Sequence, residues 1–204
     1  MKIRILHMYG DIMNLYGEYA NISILERYLI DSGAEVEVDT LSLYEDKDIS
    51  GYDLYYMGSG TEDSQKTALA QLIKYKDVLK KMSDDGKTIL FTGNAFELLG
   101  SKITDANGKE YEALGIGSFE TIEKDKRITG DCLAKNDDCE DICIGFVNKC
   151  SITTGVKNPL FKMLMGYGNE CELGDEGFVK LNTIGTHLIG PIMIKNPHFL
   201  KLQV

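Results

Sequence analysis

Residues 88–100 read Thr-Ile-Leu-Phe-Thr-Gly-Asn-Ala-Phe-Glu-Leu-Leu-Gly, and their pattern decides the fold. A short β-rich apolar run, residues 88–92, gives way through Gly93 and Asn94 to a helical apolar run that ends in Leu98, Leu99 and Gly100. That is a strand, a sharp turn and a helix. In α/β hydrolytic enzymes such a turn is a nucleophile elbow, which lifts one side chain above the sheet beside backbone N–H donors at a helix start. Here the apex is Gly93, which has no side chain to lift.

Working outward, residues 2–7 (KIRILH) alternate polar and apolar as a strand does, and residues 35–40 and 54–57 read as further strands. Residues 19–32 carry Ile22, Leu25, Leu29 and Ile30 at helical spacing, with Gly33 as the helix stop. Residues 63–82 form one long amphipathic helix in this reading, closed by the turn Asp84-Asp85-Gly86. The β-α-β alternation predicts a parallel sheet covered on both faces. Ligands of such sheets bind beyond the carboxyl ends of the strands. That rim holds residues 7–10, the loop Gly58, Ser59, Gly60, and the pair Gly93, Asn94. After Gly100 helices become scarce, and residues 111–121, 126–133, 141–154 and 178–188 read as strands broken by Gly and Asn turns. Residues 136–138 read as a solvated loop. No repeat or linker divides the chain, so residues 1–204 are expected to form a single domain.

The 204 residues, 43% of them hydrophobic, suffice for one packed core. A net charge of −10 argues against nucleic acid or an anionic membrane as the main partner. The sequence has no run of eighteen apolar residues and no signal-peptide pattern, so membrane insertion is not expected and a cytoplasmic location is. The five cysteines, Cys132, Cys139, Cys143, Cys150 and Cys171, are an odd number and all lie in the C-terminal half, which reads as reduced thiols. Cys139 and Cys143 are the nearest pair, but no tight Cys-x2-Cys or neighbouring His accompanies them, so no metal is expected.

Four motifs line up along the chain. They are residues 7–21 (HMYGDIMNLYGEYAN), residues 58–65 (GSGTEDSQ), the elbow, and a closing pair made of Gly166-Tyr167-Gly168-Asn169 with residues 184–191 (IGTHLIGP). Together they resemble the class I glutamine amidotransferases of the cobyric acid synthase type, and among them the small glutaminase subunits of lipid II isoglutaminyl synthases. The resemblance spans nearly the whole chain. It implies a flavodoxin-like, doubly wound, mostly parallel sheet with a strand-rich C-terminal half. It also implies hydrolysis of glutamine without a cofactor, and delivery of ammonia to a Mur-ligase-like ATP-dependent subunit in cell-wall amidation.

Two positions depart from the family. The elbow of the family reads roughly C-G-G-Y-Q-L-L-G, and the shared Leu-Leu-Gly puts Gly93 at the place of the nucleophilic Cys. The closing motif reads G-T-Y-L-H-G-P, and the place of its general-base His holds Ile189. Thioester chemistry needs a thiolate activated by a nearby imidazole. Gly93 cannot attack a carbonyl and Ile189 cannot carry a proton. Gly145-Phe146-Val147-Asn148-Lys149 stands where related subunits show G-F-E-N-H, a further departure. Among possible substitutes, Thr92 is expected to point away from the apex. His187 lies roughly 6–7 Å back along the strand from Ile189, and His7 sits on the rim as a buried or orienting His.

The sequence therefore predicts no intact catalytic set. It leaves Gly58, Ser59, Gly60, Asn94, Glu97 and His187 as the residues that would line a retained glutamine pocket. Three readings stay open at this point: a non-catalytic subunit, a sensor for glutamine or a related amide, and an enzyme with a non-standard nucleophile. A Cys at the Gly93 apex is expected to lower thermal stability, because a strained non-Gly residue costs about 1–3 kcal/mol. Related proteins continue past Lys195-Asn196-Pro197 into a final helix, whereas this chain ends at Val204. An apolar edge is expected there, for a partner subunit or a second copy in a homo-oligomer to cover.

Overall fold

The computed structural model describes residues 1–136 and 142–201. Cys139, most of the expected loop at 136–138 and the first residue of the expected strand at 141–154 lie outside the described residues. The chain opens with β1 (Lys2–Met8), α1 (Tyr19–Asp31), β2 (Glu35–Leu41), β3 (Leu54–Met57), α2 (Glu62–Leu72), α3 (Lys76–Asp84) and β4 (Thr88–Thr92). Short strands β5 (Lys102–Thr104) and β6 (Glu110–Glu112) lead to a long ribbon of β7 (Glu120–Lys135) and β8 (Ile142–Thr154). Then come β9 (Phe161–Met165), β10 (Asp175–Glu176), β11 (Phe178–Lys180), β12 (Thr183–Thr186), α4 (Ile192–Lys195) and α5 (Pro197–Lys201).

One sheet runs in the order β11-β12-β4-β3-β1-β2, and every pairing except β11 with β12 is parallel. The second sheet is built on the antiparallel β7–β8 ribbon, with β9 and β5 also against β7. Strand alternation divides the parallel sheet between two cores. On β4, Ile89 and Phe91 pack with Leu69, Leu72 and Leu79 of α2 and α3, while Leu90 packs with Ile22, Leu25 and Leu29 of α1. Helices thus cover both faces, as the alternation of elements requires.

Five expectations are corrected in detail. The long helix breaks at residues 73–75 into α2 and α3 through a 3₁₀ turn. The break falls at Tyr75, whose buried hydroxyl accepts the Lys47 N–H at 3.1 Å. Residues 126–133 belong to one uninterrupted strand, because Gly130 keeps its register with Val147 and the irregularity falls between Glu123 and Ile128 instead. Residues 178–188 form a hairpin, not one strand; β11 and β12 turn at Leu181, which takes φ +51°. The elbow helix is a 3₁₀ turn over Gly93–Leu99. Its last carbonyls are taken from outside: Leu98 O accepts from Leu114 N, Leu99 O from Ile116 N and Gly117 N, and Gly100 O from Gly115 N. Residues 113–117, read as part of a strand, serve instead to wrap the elbow.

Candidate functional site

Parallel register places the key loops side by side. Met57 pairs with Phe91 and Thr186 with Thr92, so residues 58–60, 93–94 and 187–190 leave the sheet at the carboxyl ends of β3, β4 and β12. The closing segment is then pinned by reciprocal backbone hydrogen bonds between Ile189 and Phe146 of β8, at 2.9 and 3.2 Å. This brings Ile189 to the elbow.

Gly93 takes φ +60°, the left-handed region that glycine occupies without strain. A β-carbon built on it would lie 2.4 Å from both Cβ and Oγ of Ser59 and 3.1 Å from Cγ2 of Ile189. Contacts below 3.0 Å would force Ser59 to move, so the place of an apex side chain is already filled. Asn94 completes the closure. Its Oδ1 accepts the Gly60 N–H at 2.9 Å and the Ser59 hydroxyl at 3.3 Å, and its Nδ2 donates to Gly60 O at 3.0 Å. One backbone N–H of the rim, that of Gly60, is therefore already bonded within the protein.

Two buried polar clusters flank the elbow. On one side is Glu18, with no solvent exposure. Its carboxylate accepts from Thr92 Oγ1, from Tyr56 OH at 3.1 Å and from the Gly190 N–H at 3.3 Å. Burial pushes the Glu18 carboxyl above its usual range, and those hydrogen bonds oppose the shift. Burial also holds the Tyr56 phenol well above its ordinary value, helped by the charge of Glu18. Gly58 lets this cluster come close, since a β-carbon there would sit 2.8 Å from Glu18 Cβ. Thr92 does turn from the apex, into this cluster.

On the other side, His187 lies between two carboxylates. Its Nε2 is 3.4 Å from Glu97 Oε1 and its Nδ1 is 3.3 Å from Glu176 Oε1, although neither contact has hydrogen-bond angles. The ring also packs edge-on against Phe96, centroid to centroid 4.7 Å. Gln65 Nε2 donates to Glu97 Oε2 at 2.7 Å, and Ser151 Oγ donates to Glu97 Oε1. Burial presses the Glu97 carboxyl upward, but His187, Ser151 and Gln65 outweigh it and leave the group below its usual value. Glu176 is held by the Thr186 hydroxyl and the His187 N–H, both at 2.7 Å. Lys149, 3% exposed, donates to Gly168 O at 2.7 Å and Asn169 O at 3.1 Å. Burial lowers its pKa to about 8, against the charges of Glu176 and Glu97.

The structure thus gathers Gly58, Ser59, Gly60, Gly93, Asn94 and Ile189 at the elbow, and places Glu97 and His187 in the adjoining cluster. The cavity beside Asn94, Glu97, Lys149 and Cys150 measures about 10 Å³, room for one water. His7 stands apart, against Tyr56 with ring centroids 5.5 Å apart, and burial lowers its pKa. Glu18, Gln65, Ser151 and Glu176 were not singled out from sequence. Glu18 and Gln65 did lie inside quoted motifs, Glu18 as the acid three residues before Asn21 and Gln65 as the last residue of 58–65, and Asn21 Nδ2 does reach Tyr56 OH at 2.9 Å. Among the described residues, no group of three or more His, Cys, Asp or Glu side chains could hold a metal ion, and no helix is long and apolar enough to cross a membrane.

The parallel sheet with an elbow at the end of a central strand is the fold of the class I glutamine amidotransferases. A solved glutamine amidotransferase superposes with a TM-score of 0.63 at 10% identity, covering 97% of this chain and 96% of that one. Another, from Thermotoga maritima, gives 0.58 at 11% identity over 91% and 75%. Sequence carries the assignment further. Residues 4–197 match the CobB/CobQ-like glutamine amidotransferase domain, and the chain belongs to that family. It is 33% identical over 195 residues to the GatD subunit of the glutamine-hydrolysing lipid II isoglutaminyl synthase of Staphylococcus aureus, covering 96% of this chain and 80% of the relative. The Streptococcus pneumoniae GatD subunit is 31% identical over 198 residues, 96% of this chain and 76% of its own.

Proposed function

We propose that this chain is a glutamine amidotransferase-like subunit that does not hydrolyse glutamine and that supports a Mur-ligase-like, ATP-dependent synthetase in amidating a cell-wall precursor. The observation that carries the reading is the filled apex. Ser59 stands within 2.4 Å of where a residue-93 side chain would begin, and Ile189 closes the other flank. Capture of the Gly60 N–H by Asn94 supports it, because a substrate carbonyl would have to displace an internal hydrogen bond. The family likeness supports the partner: the GatD relatives are named as subunits of a synthase that acts on lipid II.

Retention of glutamine by Gly58, Ser59, Gly60, Asn94, Glu97 and His187 would require Asn94 to release Gly60, since the adjoining cavity holds no more than a water. An alternative nucleophile at Thr92 would have to leave Glu18 and Tyr56.

The test is glutamate release from glutamine by the purified protein and by two variants. The natural protein is expected to release none. Gly93→Cys with Ile189→His is expected to stay silent because Ser59 crowds the new side chain. Adding Ser59→Gly is expected to bring turnover above background. Turnover by the natural protein would sink the proposal.

A further inference from the structure

A void lies away from the elbow, between the β7–β8 ribbon and residues 166–172. It has a volume of about 220 Å³. A closed cavity of about 150 Å³ holds a benzene ring, so this space suits a ring with a short substituent. Its lining brings Ile128, Val147 and the buried thiol of Cys132 together with the polar side chains of Thr129, Tyr167 and Glu172. Burial raises the Cys132 pKa, which keeps the thiol neutral. Gly130 leaves the space open, for a β-carbon there would meet nothing within 4 Å.

The rim supplies the polar chemistry. Tyr167 and Glu172 face each other as an antiparallel bridge, which sets their side chains next to one another. The loop between them is held by Leu173 N to Gly166 O at 3.0 Å and Gly168 N to Cys171 O at 2.9 Å, so the rim is preformed. Glu172 is solvent-exposed, and no Lys, Arg or His lines the cavity. An aromatic ring beside a carboxylate, with Ile128 and Val147 alongside, is the arrangement that recognises an organic cation. A carboxylate ligand would meet only like charge.

From this geometry we propose that the cavity is a binding site for a small organic ammonium with an apolar body of about ring size. The site stands on the cavity alone and does not depend on the state of the elbow.

The test uses the full chain, amide NMR and three probes of equal shape: benzylammonium, benzyl alcohol and benzoate. Benzylammonium is expected to shift the amides of Gly130, Val147 and Tyr167 in a saturable way, with benzyl alcohol weaker by about fivefold, the scale of one exposed ion pair, and benzoate without effect. Gly130→Val fills the space in a strand position that favours a β-branched residue, and is expected to abolish the shifts. Should that variant fail to fold, Glu172→Gln, on the exposed rim, is expected to level the cation and the alcohol. Saturable shifts that survive Gly130→Val, equal binding of cation and alcohol by the natural protein, or no shifts at these amides would each overturn the proposal.

Discussion

Glu18 and Glu97 are both buried carboxylates beside the same elbow, and they move in opposite directions. Glu18 is met by two hydroxyls, the Asn21 side-chain amide and a backbone N–H, and burial wins: its carboxyl is pushed up. Glu97 is met by an imidazole as well as by hydroxyl and amide donors, and burial loses: its carboxyl is held down. The lesson is that neutral donors lessen the cost of burying a charge, whereas a basic partner can reverse its sign. The surroundings of Glu18 favour its protonated form, while those of Glu97 favour the charged one.

The sharpest way to break this contrast is to remove the ammonium that stands near both Glu97 and Glu176. Lys149→Met would leave Gly168 O without this donor, while Asn169 O keeps the Thr153 N–H at 3.0 Å, and would take the ammonium away from Glu97 and Glu176. Breaking a buried ionic arrangement by deleting one member costs about 3–5 kcal/mol. Urea unfolding at neutral pH is expected to show a loss of that size. The Lys149 pKa of about 8 lies below the ordinary 10.5, so the folded state gives up its proton first. Stability of the natural protein should therefore rise between about pH 8 and pH 10.5, and this rise should be missing from the variant. A loss below about 1 kcal/mol at neutral pH would mean that the cluster is not organised by charge.

Glu97→Gln should cost less, about 2 kcal/mol, because one amide oxygen can still accept from Gln65 or Ser151. Its pH dependence carries the contrast. A carboxyl held below its unfolded value contributes stability above about pH 4.5 and loses it as pH falls through the folded value. The gap between natural protein and variant should accordingly narrow on acidification below about pH 4.5, as read from thermal midpoints. A constant gap would show that the Glu97 carboxyl is not held below its unfolded value.

Both clusters were largely hidden in the sequence, and the reason is distance along the chain. The parallel sheet was legible because each of its strands and helices announces itself within a few residues, as in residues 88–92 or the Ile22, Leu25, Leu29 stripe. The departures at Gly93 and Ile189 were legible because they fall inside motifs. What closes the elbow was not: Ser59 is 34 positions before Gly93, and nothing local says that its side chain occupies the apex. Glu176 and Glu97 meet His187 only after β11 and β12 have turned back beside β4. Lys149 read as a departure from a family pattern, while its two carbonyl partners lie in the Gly-Tyr-Gly-Asn turn. The partners of the elbow's last carbonyls likewise lie outside its motif, in residues 114–117.

The smallest expected effect belongs to the Glu18 cluster and is opposite in sign. Thr92 and Tyr56 present hydroxyls, which can rotate to accept as well as donate, so Glu18→Gln keeps a bonded partner for its amide N–H. A carboxyl raised above its unfolded value favours folding below about pH 4.5 and loses that contribution as pH rises through the folded value. Glu18→Gln removes the loss. It should change stability by less than about 1 kcal/mol near pH 4.5 and gain on the natural protein as pH rises toward neutrality. Thermal midpoints of the two proteins between pH 4.5 and 7 decide the matter. If the variant instead falls behind as pH rises, Glu18 is stabilised as a charge, and the two sides of the elbow are built alike.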